Sequence, residues 1–235
     1  MSDPLRVAAV PMRDLHPLTA RLIESLDGDY DAVWIIDNGS THSGSVRWLA
    51  GIAMPRIDVI RWGPSHGIYA MWNDARRRAT DLENATGRPV HLAILNNDLT
   101  LTPGAMSAMS DALAAAPPDV PVVYPHWQAT CARCTINGAL HVTHGTRAFG
   151  GFAGFAFMHR PATLHLPFDD GYVWLAGDGD WLVRLEAAGM TAAAVEGVGC
   201  DHLQRGSSRR HKWTTAQGVR DMARSREPGR HNHHP

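Results

Sequence analysis

Across the first 125 residues, short apolar runs alternate with segments of helical periodicity, and this alternation leaves few folds open. Residues 5–10 read as a strand that Pro11 ends. Residues 17–26 carry Leu18, Leu22, Ile23 and Leu26 on one helical face. Residues 32–36 form a second buried strand that runs into Asp37-Asn38-Gly39-Ser40-Thr41. Ser43 or Ser45 caps a short helix toward Leu49. A third strand over 56–62 meets the turn Gly63-Pro64-Ser65-His66-Gly67, and a helix follows over 68–80. The fourth strand spans 91–96. A helix over 103–116 has Pro103 in its first turn, and a fifth strand spans 121–124. Strands and helices in this order predict an α/β fold, with a largely parallel sheet and short right-handed connections.

The fourth strand is the most informative. His91 to Leu95 lead directly into Asn96-Asn97-Asp98, and Pro103-Gly104 close the unit. Open α/β sheets collect ligands beyond the carboxyl ends of their strands, which is where Asp98 falls. Asn and Asp also favour plain turns, and from this stretch alone both readings stand.

The second half is organised differently. Residues 128–151 are rich in Cys, Thr, His and Gly and lack helical periodicity. Residues 152–159 alternate small and large apolar side chains as a strand does, and 167–171 (PFDDG) read as a loop. A helix over 178–188 ends at Gly189. A last strand spans 191–195 and a terminal helix 213–226. No internal repeat is evident.

The 44% apolar content supports a sizeable core, and the net charge of −1 gives the whole molecule no general attraction to nucleic acid or membrane. From Asp201 onward eight Lys/Arg stand against three Asp/Glu, so the tail is basic. No apolar run is long enough to span a bilayer. The first residues lack the pattern of a signal peptide. Three cysteines make no disulfide framework, and together these features lead us to expect a cytoplasmic protein.

Three pieces occur in a telling order: Asp37-Asn38-Gly39-Ser40-Thr41 after strand two, Gly67 and Asn73 around the start of the next helix, and Asn96-Asn97-Asp98 after strand four. Further on come Phe149-Gly150-Gly151-Phe152-Ala153-Gly154-Phe155, Pro167-Phe168-Asp169-Asp170-Gly171 and Gly177-Asp178-Gly179-Asp180-Trp181-Leu182-Val183-Arg184-Leu185. In this order and spacing the chain resembles the family 2 glycosyltransferases of the GT-A fold, over about residues 5–210. The resemblance implies one catalytic domain over 1–212, with a nucleotide-sugar half (1–125) and an acceptor half (126–212) holding a smaller β region. Residues 213–235 form a basic helix and tail.

The resemblance also implies an activity: transfer of a hexose-like sugar from a nucleotide-diphosphate donor, UDP-linked by default, to an acceptor hydroxyl. A divalent cation, Mn²⁺ or Mg²⁺, neutralises the leaving diphosphate. Asp98 and His202 are the expected metal ligands. The family more often has Asp where this chain has Asn96. Asp178 is the expected general base of an inverting reaction, where a helix N-cap is the ordinary alternative. The expected donor-binding residues are Pro11, Arg13, Asp37, Asn38, Gly67, Asn73, Asn97, Asp98 and Arg205. The family has an acidic residue where Gly177 stands, and Asp180 is expected to pair with Arg184 four residues on.

Cys131, Cys134, His141 and His144 have the donor types of a structural zinc site, although their spacing is short for one and ordinary thiols and histidines are the simpler reading. The basic residues after His202 suit a diphosphate, a solvated helix or, for a nucleic-acid acceptor, a phosphate backbone. Two other chemistries lack their motifs. Pro11-Met12-Arg13-Asp14 supplies neither the G-x-G-x-R loop of a nucleotidyltransferase nor the G-x-G-x-x-G of a dinucleotide enzyme. A non-catalytic module that binds sugar nucleotides or nucleic acid on the same fold is the remaining alternative. The acceptor and the oligomeric state are not written in the sequence.

Overall fold

The computed structural model describes residues 2–63, 66–126, 154–173, 176–202, 220 and 223–224, and the backbone of 140–143. The first half follows the expected alternation. Strands β1 (Leu5–Met12), β2 (Ala32–Asn38), β3 (Ile57–Trp62) and β4 (Val90–Leu95) are separated by helices α1 (His16–Ser25), α2 (Ser43–Ala50) and α3 (Ile68–Thr86). After β4 come β5 (Leu99–Leu101), α4 (Ala105–Ala115) and β6 (Val122–Pro125). The second half supplies β7 (Leu140–Thr143), β8 (Ala156–His159), α5 (Gly177–Ala187), β9 (Ala192–Val195) and β10 (Cys200–His202).

Eight strands make one sheet in the order β3-β2-β1-β4-β8-β6-β9-β7, and β10 pairs with β5 in a two-stranded sheet. β3, β2, β1 and β4 are mutually parallel. β8 runs antiparallel to both β4 and β6, so β6 points the same way as β4, and β9 is parallel to β6. Only β7 and β8 are reversed within this sheet. The sheet is therefore mostly parallel, as expected, but its two parallel blocks meet across a backward strand. The fifth alternating strand, β6, does not lie beside β4.

Both faces are covered, which is why the strands read as continuous apolar runs. Ala8, Val10, Val33 and Ile35 face a core completed by Leu22 and Ile23 of α1 and by Met106, Met109 and Leu113 of α4. Val7, Ala9, Trp34 and Ile36 face the other core, built on Tyr69, Trp72 and Ala75 of α3 and Trp181 and Leu185 of α5. Among the described residues no helix is long and apolar enough to cross a membrane.

Several boundaries differ from expectation. β1 runs through Pro11 to Met12. Its ladder with β4 stops at Ala9, so Pro11 pairs with β2 alone and its missing N–H interrupts no two-sided ladder. β2 continues through Asp37 and Asn38, which are strand residues rather than turn residues. α3 extends to Thr86. α4 begins after Gly104, which sits at φ 75, so Pro103 precedes the helix. The three-residue strands β5 and β10 were not foreseen, and of the strand expected over 152–159 only Ala156–His159 is strand among the described residues, Gly154 and Phe155 being a turn.

Candidate active site

The carboxyl edge of β1, β2, β3 and β4 is also the edge where the reversed β8 begins. Asn96, just past β4, donates its N–H to Phe155 O at 2.8 Å, so the Gly154-Phe155 step is tied to that edge. Three groups of side chains gather there.

The first surrounds Asp98. The pairing of β10 with β5 places His202 opposite Leu99, one residue from Asp98. The His202 Nε2 lies 3.1 Å from Asp98 Oδ1, and its ring stacks on Phe155 with centroids 4.2 Å apart. Asp98 is buried. The two residues expected as metal ligands, 104 positions apart, are thus in direct contact. A carboxylate oxygen accepts, so His202 Nε2 is the donor in this contact, and a divalent cation held by the pair would take the place of the bridging hydrogen. Close by in sequence, the Oδ1 of Asn96 is buried and accepts no hydrogen bond among the described residues. A buried oxygen left in this way is a ligand-type donor in waiting. A carboxylate, an amide oxygen and an imidazole are donor types that suit Mn²⁺ or Mg²⁺, and of these the carboxylate and the imidazole are in contact. No cluster of three or more His, Cys, Asp or Glu with metal-site geometry occurs among the described residues. Asn97 is buried, and its Nδ2 donates to Thr19 Oγ1 at 3.3 Å.

The second group lies beyond β1, β2 and β3. Asp37 is buried, accepts the Ser40 N–H on Oδ1 at 2.9 Å, and has the Arg61 guanidinium 4.0 Å from Oδ2. Asn38 grips His66 through both ends of its amide. Its Nδ2 donates to His66 O at 2.8 Å and its Oδ1 accepts the His66 N–H at 3.1 Å. His66 meets the Trp62 ring edge-on at 4.8 Å. Asn38 therefore shapes the loop after β3. Asp14, just past β1, does the same for the loop after β2. Its Oδ1 accepts the N–H groups of Thr41 and His42, and its own N–H donates to Ser40 Oγ at 2.7 Å. Asp14 and Leu15 both hold φ near 55, a rare conformation without glycine, at the mouth between Arg13 and α1. Pro11 is buried in β1 below this mouth. Gly67 packs so closely on Tyr172 and Val173 that a Cβ would lie 3.0 Å from Tyr172 O. Asn73 does not sit at its helix's start; it clamps the Phe168 backbone, donating to Phe168 O and accepting the Phe168 N–H, both at 2.9 Å.

The third group is built around Asp178, at the second position of α5. The cap is Ala176, in the left-handed region, so Asp178 is not the N-cap. Tyr69 of α3 donates its hydroxyl to Asp178 Oδ1 at 3.3 Å and accepts the Gly177 N–H at 3.1 Å. Burial pushes the Asp178 carboxyl above its ordinary range. Backbone N–H groups in the first turn and the Tyr69 hydroxyl pull the other way without reversing the shift. Burial and the Asp178 charge push the Tyr69 phenol well above its usual value, so Tyr69 stays a donor. Two glycines leave room for this pair. A Cβ on Gly154 would overlap the Asp178 carboxyl, and a Cβ on Gly177 would come within 2.6 Å of the Tyr69 ring. The second contact leaves no room for a side chain at position 177 while the Tyr69 ring stays in place. Asp180 pairs with Arg184 at 2.9 Å, as expected, and also accepts from Tyr172 at 3.3 Å. Asp169 binds Arg224 at 3.2 Å.

Cys131, Cys134, His144 and Arg205 lie outside the described residues, and His141 is described only as a backbone position in β7. Cys200 is buried, and burial together with Asp201 pushes its thiol up to about 12, which does not suit a nucleophile.

No family model matches the chain, and no curated protein matches it. Solved structures do. Glucosyl-3-phosphoglycerate synthase from Mycobacterium tuberculosis, in complex with Mn²⁺, UDP and phosphoglyceric acid, superposes with a TM-score of 0.60 at 14% identity, over 93% of this chain and 76% of that one. GalNAc-T7 with UDP, GalNAc and Mn²⁺ gives 0.59 at 10% identity, over 83% and 42%. TarS from S. aureus gives 0.59 at 13% identity, over 82% and 59%. The chain has the GT-A fold. It spans about half the length of the GalNAc-T7 and TarS chains. A glucose-1-phosphate thymidylyltransferase from Bacillus anthracis, described as putative, also matches, with a TM-score of 0.51 at 9% identity over 97% of this chain and 98% of that one. The GT-A architecture is thus close to that of a nucleotidyltransferase, and the site has to decide the chemistry.

Proposed function

We propose that the protein is a glycosyltransferase that moves a sugar from a nucleotide-diphosphate donor, UDP-linked by default, to an acceptor hydroxyl, with inversion. The observation that carries the reading is the Gly154-Phe155 step. Its glycine makes room for a carboxyl pushed toward the protonated form, and its phenyl ring stacks on the imidazole that contacts Asp98. A charge-holding pair and a proton-accepting carboxylate thereby share one edge of the sheet, as transfer from a diphosphate to a hydroxyl requires.

In this reading Asp98, His202 and the Asn96 amide oxygen hold a divalent cation, which when bound neutralises charge on the leaving diphosphate. Asp178 takes the proton of the acceptor hydroxyl, and its raised pKa brings it nearer the operating pH. Asp37, with Arg61 beside it, faces the nucleotide base. Pro11, Arg13 and Gly67 line the approach to the donor, and Arg205 meets the diphosphate. Asn38, Asn73 and Asn97 support these loops from behind. Residues 1–125 form the donor half and 126–212 the acceptor half of one cytoplasmic catalytic domain. That UDP and Mn²⁺ accompany the structures of GalNAc-T7 and the synthase supports the donor and metal classes.

Thermal unfolding against UDP-, GDP-, dTDP- and CDP-sugars, with and without Mn²⁺, tests the proposal. One nucleotide should stabilise the protein in the presence of Mn²⁺, and Asp98→Ala should abolish that response. No response to any nucleotide overturns the reading. Asn96 and the lone Asp98 carboxylate also suit a module that binds sugar nucleotides without turnover. Nucleotide release that Asp178→Asn removes, with binding kept, speaks against the module.

A further inference from the structure

We propose that Tyr69 is a positioning residue for Asp178, holding carboxylate Oδ1 so that Oδ2 stays seated in the space left by the missing side chain of Gly154. The proposal rests on the reading of Asp178 as the general base.

The geometry is a closed arrangement of four residues from three elements. Tyr69 stands one residue into α3, is almost fully buried, and is locked by aromatic neighbours. Trp72 and Tyr172 meet its ring edge-on, with centroids 4.9 and 6.3 Å away, and Phe168 lies at 6.2 Å. A ring held on several sides has no other place to put its hydroxyl. That hydroxyl is fixed from behind by the Gly177 N–H at 3.1 Å, one of the N–H groups a helix start leaves without an intrahelical partner. Its proton is then directed at Asp178 Oδ1, 3.3 Å away. A tight O–H···O contact is about 2.7 Å, so the bond is long here, as is common for sites that tighten only around substrate.

The other groups around Asp178 do not do this work. On its own helix, Asp180 is paired with Arg184 and Tyr172. On the β8 side Gly154 has no side chain, and the next residue, Phe155, is stacked on His202. Tyr69 is the titratable group that α3 presents to the carboxyl, and burial keeps it protonated. Gly177 and Gly154 fit as a pair: one admits the ring, the other admits the Asp178 carboxyl, whose Oδ2 lies where a Cβ would stand.

The test follows the Asp178 carboxyl by ¹³C NMR against pH, with its resonance assigned by its disappearance in Asp178→Asn. Tyr69→Phe removes a donor to the charged form, so the titration midpoint should rise by about half a unit to one unit. Tyr69→Phe also leaves the Gly177 N–H without its acceptor. Gly177→Ala is the second variant: its methyl displaces the ring while keeping the hydroxyl, and it should move the midpoint the same way. Thermal unfolding checks that each variant folds. UDP release from UDP-N-acetylglucosamine, with water as acceptor, should fall in kcat about tenfold in both variants while KM is kept. Midpoints unchanged in both variants overturn the positioning role. Shifted midpoints combined with full turnover in Asp178→Asn instead overturn the base assignment and leave the contact standing.

Discussion

Asp98 and Asp178 sit on one edge of one sheet in opposite surroundings. Asp98 follows a parallel strand and meets an imidazole at 3.1 Å, with an unengaged amide oxygen two residues before it. Asp178 opens a helix, is enclosed by a tyrosine and two glycines, and is pushed toward its neutral form by burial. The difference teaches that the fold sets the position of a carboxyl group and the neighbours set its chemistry. One carboxyl is held against an imidazole, whereas burial lifts the other toward its neutral form against the donors around it.

Exchanging the two roles should fail, and the largest effect is expected at Asp178. Asp178→Asn keeps the shape but cannot accept a proton, so turnover should fall by about 10²- to 10⁴-fold while the donor still raises the melting temperature. Equal losses of binding and turnover would merge the two carboxylates into one function. Asp98→Ala should do the converse. The Mn²⁺-dependent part of donor stabilisation, roughly 2.7 kcal/mol at a hundredfold excess over Kd, should vanish in thermal unfolding.

Acidity sharpens the contrast from beneath the edge. His159 is fully buried, and burial and Arg76 push its pKa well below the usual value, against the Leu92 backbone, which pulls it up. Burial and Arg160 lower His91 to about 4, against the Ser110 hydroxyl at 2.9 Å. Both depressed values mean that the unfolded chain binds protons first. Stability is whole above about pH 6.5 and falls as pH drops below it, by up to about 1.4 kcal/mol per pH unit for each histidine. For His91 the loss levels off near pH 4. Asp178 acts with the opposite sign, since its raised pKa lets the native state take a proton first. Urea unfolding from pH 7 to 5 should show the net decline, and His159→Leu should flatten it. The smallest effect is expected at Asn38. Asn38→Ala releases two hydrogen bonds to His66 and should lower stability by about 1 kcal/mol per bond, with little change at Asp98.

The alternating half of the fold was legible because strands buried on both faces and one-sided helices leave distinct periodicities. The contact of Asp98 with His202 follows from motif order, and that of Asp180 with Arg184 from four-residue spacing on a helix. Those of Tyr69 and Asp14 follow from neither. A tyrosine in an amphipathic helix reads as core, and only its hydroxyl's two partners, about 108 residues away, set it apart. Asn38 and Asn73 lie in the expected motifs, but their amides hold backbone, which no spacing reveals. β5 and β10 are too short to carry a period, and the placing of β8 between β4 and β6 depends on a pairing that sequence order does not encode.

That backward strand also bears on how the chain is made. β4 joins the sheet through β1, but β6 reaches its place only through residues 156–159, and β9 joins β6 later still. A nascent chain emerging at about 5–20 residues per second can assemble β1 to β4 as soon as they appear. For several seconds afterwards the inner edge of β4, apolar on both faces, waits without its neighbour. The ribosome-bound first half is therefore the stage at which this protein is most exposed to aggregation, and a fragment ending near residue 126 carries the same open edge permanently.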